Sequence, residues 1–184
     1  MQTKSKIKSL LDSYVGNDFP GCTFLITHKG KEIFYYENGY ADLDTRRKFS
    51  KNTIIRLASM TKILCSFGAM ILVDQKKISV DDIVEKYIPE FKSLKVYNSG
   101  DENNLVLDSP KRKMTIRDLM SHQSGIPNPP EDSETVINKI AMNIYSKSWW
   151  ESNLTPDDFL LNLSKVPLLF SPGDAWNYGP SIDI

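Results

Sequence analysis

The chain has 184 residues, 40% of them hydrophobic and 25% charged, a balance that fits a globular fold with a sizeable core and excludes a disordered or low-complexity polymer. Its 23 basic and 23 acidic residues cancel, so no net field draws it to nucleic acid or to an anionic membrane surface. Two cysteines, Cys22 and Cys65, and two histidines, His28 and His122, are too few and too scattered for a disulfide framework or a metal-ligand set.

The opening Met1-Gln2-Thr3-Lys4-Ser5-Lys6 is polar where a signal peptide is apolar, so the expectation is a cytoplasmic protein. Ile7, Leu10, Leu11, Tyr14 and Val15 stand at helical spacing and predict an amphipathic first helix, ended by Gly16-Asn17. Two β-prone runs follow, Cys22 to Thr27 and Glu32 to Tyr36. They are joined across His28-Lys29-Gly30-Lys31, where Gly30 can supply a positive φ, and they predict a hairpin.

Ser59 to Lys76 reads as the most apolar helix. Ile63, Leu64, Phe67, Met70, Ile71 and Val73 surround it, so nearly every side is expected to be buried. Its apolar stretch is far short of the ~20 residues that cross a bilayer, which predicts a core helix and no membrane segment.

Three capping boxes predict three shorter helices, beginning at Ser79, Thr115 and Thr155, the last with Pro156 at its first position. Pro89 and Gly125 are expected to close the first two. A fourth is predicted from Ser133 to Tyr145, and Ser171-Pro172-Gly173 marks a sharp turn. Lys111-Arg112-Lys113 beside Pro110 reads as a solvated turn rather than a binding patch. The acid pairs Asp81-Asp82 and Asp157-Asp158 are explained by helix dipoles.

The candidate chemistry lies in Ser59-Met60-Thr61-Lys62. Residues three apart share a helix face, so the Lys62 amine can approach the Ser59 hydroxyl. A desolvated, proton-sharing lysine there takes the serine proton, and the unpaired amides of the helix start favour an oxyanion. The bland alternative is an N-cap serine followed by a snorkelling lysine. Ser5-Lys6-Ile7-Lys8 repeats the pattern on a solvated terminal helix and shows how little the spacing decides alone.

Context decides more. Ile55-Arg56-Leu57-Ala58-Ser59-Met60-Thr61-Lys62 resembles the active-site segment of the serine β-lactamase-related family, which includes class C β-lactamases, D,D-peptidases, D-aminopeptidases and esterases. Phe19-Pro20-Gly21, Gly39 to Leu43, Lys77 to Asp82 and Met114 to Gly125 agree with that family in order and spacing. So does Phe170 to Tyr178, whose Tyr178 matches the family's proton-exchanging tyrosine. A phenol titrates near pH ~10, so the resemblance implies a cation beside it, supplied by Lys62.

The resemblance implies an α+β fold, an antiparallel sheet flanked by helices. Here it is expected to be cut short, so that residues 1–184 are the N-terminal portion of one such domain, with only the hairpin and the helical region present. It implies Ser59, Lys62 and Tyr178 as catalytic residues, a small-molecule ester or amide as substrate, and no cofactor.

Two departures shape the reading. Pro180 stands where a Tyr-x-Asn triplet would offer a side-chain amide, which favours esterase over β-lactam or peptide hydrolysis. The chain also ends at Ile184, in the first turn of an expected helix near Ser181, before the family's remaining strands and its basic pocket motif. His28-Lys29-Gly30 on the hairpin turn does not replace that motif. His122 is expected to shape a loop near the site, and Trp149-Trp150 to belong to core or rim. The competing reading is a truncated, catalytically silent product that binds an acyl ligand or a partner. A second chain that completes the sheet is a third.

Overall fold

The computed structural model describes residues 2–128, 134–146 and 154–184. The chain forms two compact units, Met1–Leu57 and Ala58–Ile184. The expected role of Trp149-Trp150 falls outside the described residues.

In the first unit the amphipathic run forms helix α1 (Gln2–Tyr14), which packs against the second strand of the predicted hairpin. Strands β1 (Gly21–His28) and β2 (Lys31–Asp42) pair antiparallel, with Phe24 opposite Tyr36 and Leu25 opposite Tyr35. Their turn needs two left-handed residues, Lys29 at φ 48° and Gly30 at φ 74°, which suits the right-handed twist of the strands it joins. A short β3 (Arg47–Lys48) adds a third strand beside β2, in the order β1-β2-β3. Tyr36 and Asn38 on β2 both donate to Asp12 of α1. No described residue of this unit is fully buried.

The second unit holds the core. Val84, Phe91, Leu94, Met114, Leu119, Ile126, Ala141, Leu163, Val166 and Leu168 form one buried cluster. The apolar helix expected at its centre lies elsewhere. A 3-10 turn, Ala58–Met60, leads into α2 (Thr61–Asp74), and on α2 Ile63 is 70% and Phe67 66% exposed. The expectation of burial on nearly every side is therefore corrected: the core is assembled by the segments after Val84.

Two of the three capping boxes start helices as predicted. Thr115 opens α3 (Ile116–Met120), and Thr155 with Pro156 opens α5 (Pro156–Leu163). The Ser79 box does not. Asp82 accepts from the Ser79 amide at 2.9 Å, but the backbone then bonds sideways, Val84 N donating to Met114 O at 2.9 Å and Ile83 bridging Thr115. Only 3-10 turns result, Val84–Lys86 and Pro89–Ser93, and Pro89 begins the second turn instead of closing a helix. The helix expected at 133–145 appears as α4 (Val136–Ala141) continued by a π-turn, Met142–Ser146. A hairpin the sequence reading missed, β4 (Val96–Asp101) with β5 (Asn104–Asp108), joins the core through a parallel bridge from Val96 to Leu168.

The basic run is the exposed turn expected, and its side chains are paired with acids. Lys111 pairs with Asp174 at 2.7 Å, Lys113 with Glu85, and Arg112 grips Asp118 with two bonds of 2.6 and 2.7 Å.

Candidate active site

The site residues come from three places in the second unit: the start of α2, the loop after α3, and residues 170–184. Ala58 precedes the serine at φ 46°, a left-handed conformation that for a non-glycine residue costs on the order of 1–3 kcal/mol and recurs at functional sites. The residue capping α2 is Met60, with no side-chain capping bond, so the Ser59 hydroxyl does not serve as the N-cap. That counts against the bland reading of the motif. Ser59 is exposed, contrary to the expectation of a site already screened from water.

Lys62 turns toward the C-terminal segment. Its Nζ donates to Asp183 Oδ2 at 2.6 Å, with side chains 13% and 28% exposed, and lies 5.4 Å from the Tyr178 ring centroid. Lys62 and Tyr178 are thus brought together. The lysine expected to serve Ser59 and Tyr178 is also held by a carboxylate. Asp183 was not picked out from the sequence. Its signal was there, as the sole acid after Asp174, one turn beyond Pro180.

The loop after α3 builds the wall behind Tyr178. His122 sits at φ 56°, is buried, and packs its ring 4.8 Å from that of Tyr178 and 6.1 Å from that of Trp176. Burial pushes its imidazole below the usual histidine range, the charge of Lys62 adds to this, and Asp183 opposes it. Nδ1 of this ring is buried without a hydrogen-bond partner. The loop-shaping role expected for His122 also has a backbone side, since its carbonyl accepts from Asn177 N at 2.9 Å.

Gly125 at φ 82° lets the chain pass so close to Phe170 that an added Cβ would lie 2.3 Å from the Phe170 carbonyl oxygen. Leu169 N then donates to Gly125 O at 2.7 Å, and Asn177 Nδ2 to Ile126 O at 3.0 Å. Ser124 and Ser181, both buried, share a hydroxyl hydrogen bond of 2.7 Å that fixes the 3-10 turn Pro180–Asp183. The turn and these bonds place Tyr178 and Asp183 opposite α2.

His28, expected on the hairpin turn, is the last residue of β1 in the first unit and pairs with Lys31 across the turn. Both cysteines are free, and among the described residues no group of histidine, cysteine and carboxylate side chains has the makings of a metal site. No helix among them is long and apolar enough to cross a membrane.

Known proteins with this pattern agree in kind. The acyltransferase calJ of Penicillium decumbens is 26% identical over 159 residues, covering 86% of this chain and 36% of the relative. Esterase EstB of Burkholderia gladioli is 25% identical over 169 residues, covering 89% and 38%. The solved structure of EstCE1, described as a hydrolase with promiscuous acyltransferase activity, superposes with a TM-score of 0.81 at 24% identity, over 99% of this chain and 45% of that one. The chain therefore spans under half the length of the relatives it matches. Residues 7–180 match the family model described as Beta-lactamase, and the chain belongs to that family of serine hydrolases and acyltransferases.

Proposed function

We propose that residues 1–184 are the nucleophile-bearing portion of a single serine hydrolase domain that cleaves a small-molecule ester, and amides less readily, through an acyl-enzyme on Ser59. The observation that carries the reading is the Lys62 ammonium set 5.4 Å from the Tyr178 ring, one turn after a serine whose hydroxyl caps nothing.

In this reading Tyr178, with the charge of Lys62 beside it, takes the proton of Ser59 as Oγ bonds to the acyl carbon. The carbonyl electrons move to oxygen, and the negative charge forms beside the backbone amides at the Ser59 end of α2. Collapse breaks the bond to the leaving oxygen, which receives the proton from Tyr178. Water repeats the sequence: it gives a proton to Tyr178 and its oxygen to the acyl carbon, and Ser59 departs carrying that proton.

Preference for esters is supported by Pro180, which offers no side-chain amide two residues after Tyr178, and by the esterase and acyltransferase names of the relatives.

The test is fluorophosphonate labelling of the complete protein. Ser59 takes the label, Ser59→Ala abolishes it, and Tyr178→Phe slows it about a hundredfold or more. In the same preparation kcat/KM for a short-chain aryl ester exceeds that for a cephalosporin. Labelling that survives Ser59→Ala, or the reverse substrate order, overturns the proposal.

A further inference from the structure

The Lys62–Asp183 pair has no part in the scheme above, yet it is the tightest polar contact made by Lys62, and its members are 121 residues apart in sequence. Local sequence does not create it. The chain makes it by a sequence of fixed steps. Pro180 locks φ at the first position of the turn, Ser181 is anchored by its hydroxyl to Ser124 at 2.7 Å, and the remaining turn delivers Asp183 to the face of α2 that carries Lys62.

We infer that Asp183 is a positioning residue for catalysis: it holds the Lys62 ammonium beside Tyr178 as a fixed cation and so leaves proton transfer to the tyrosine. The inference rests on the proposed roles of Ser59, Lys62 and Tyr178, and it selects between the two proton acceptors that the Ser-x-x-Lys motif and the tyrosine each offer.

Three physical points carry it. A lysine stem has four rotatable carbons, so without a fixed acceptor the ammonium samples many positions. A carboxylate at 2.6 Å, with both side chains mostly shielded from water, is a charge-assisted hydrogen bond and outweighs an exposed ion pair. The groups around the ammonium are Asp183, the Tyr178 ring and His122, whose imidazole is held down first by burial and then by Lys62 itself. Asp183 is the anion among them. Asp183 is the side chain of the Pro180–Asp183 turn that reaches the ammonium, since Pro180 brings no polar side chain to it.

The experiment uses the complete protein and reads both Ser59 labelling and ester turnover. Asp183→Ala is expected to lower kcat about tenfold to a hundredfold with KM little changed, because an interaction acting on the proton-transfer step is lost and the substrate contacts remain. Formate supplied at high concentration restores part of the rate by occupying the vacated carboxylate position. Asp183→Asn keeps the shape, melts like the wild type and is slow, whereas Asp183→Glu recovers much of the activity.

If the wild type labels at Ser59 but Asp183→Asn keeps full activity, or if Asp183→Ala is slow and indifferent to formate, Asp183 is a structural residue and the inference fails. If Ser59 of the wild type does not label, the underlying assignment of the nucleophile fails first.

Discussion

His122 holds its ring against Tyr178 with one nitrogen buried and unpaired, so protonating it places a charge where burial and Lys62 both oppose it. Its folded-state pKa lies below the ordinary histidine value, hence the unfolded chain takes up the proton first as pH falls. The stability this gives is complete above about pH 6.5 and is lost progressively below it. Melting temperature should therefore drop between about pH 7 and pH 5 in the wild type, and the drop should shrink in His122→Gln. An unchanged slope in that variant would assign the acid sensitivity elsewhere. Single residues were the most legible scale. The candidates Ser59, Lys62 and Tyr178 were picked out by residue type, spacing and family likeness, whereas Asp183, the sole acid after Asp174, was passed over because its partner lies 121 positions away.

At the scale of elements, α3 shows what a short helix needs. Its five residues are capped by Thr115, and the buried Asp118 side chain accepts from the Thr115 amide at 2.8 Å and from both terminal nitrogens of Arg112. Burial works to raise the Asp118 carboxyl, but Arg112 and the Thr115 donors overcome it and hold it below the usual carboxylate range. Arg112→Ala leaves that carboxylate buried with threonine donors alone and should destabilise the protein by about 3 kcal/mol. Lys111→Ala breaks an exposed pair and should cost below about 1 kcal/mol. Comparing the two in denaturant titrations checks the ranking, and equal losses would overturn it.

The cap at Thr115 was readable because its donors and acceptors are local. The same signal misled at Ser79, where Val84 and Ile83 spend their backbone groups on Met114 and Thr115 instead of on their own helix. The β4–β5 hairpin hid behind Asn98, Ser99, Gly100 and Asp101, residues of poor strand propensity. Its turn is nonetheless held by Asp101, which accepts from the amides of Asn103 and Asn104.

For the molecule as a whole, the side chains meant for a core and the core itself part company. Met60, Ile63, Leu64, Phe67, Met70 and Ile71 are exposed, and among the described residues the buried hydrophobic ones lie from Val84 to Leu168. The apolar spacing of α2 signalled burial and the structure leaves the helix exposed, because spacing carries no information about which surface meets a helix. Large apolar side chains gathered in the open along one helix mark an interaction surface or a route to aggregation. Residues 1–184 expressed alone should therefore melt broadly, self-associate and turn over esters poorly, and Ile63→Lys with Phe67→Lys should raise solubility without restoring activity. Calorimetry, size-exclusion chromatography and an ester assay decide it. A cooperative, monomeric melt with Ser59-dependent turnover would refute the expectation.

The strap that carries Tyr178 is tied down by main-chain atoms: the Gly173 amide on the Gln123 carbonyl at 2.9 Å, and the Asn177 amide on the His122 carbonyl at 2.9 Å. Such knots are blind to the identity of the side chains between them. The exposed Ala175 side chain can therefore change while the phenol stays in register with Lys62, whereas the exposed Trp176 ring lies 6.1 Å from that of His122 and 6.4 Å from that of Tyr178. Main-chain anchoring thus leaves the strap's register independent of the side chain at 175 and confines sensitivity to the aromatic trio of His122, Trp176 and Tyr178.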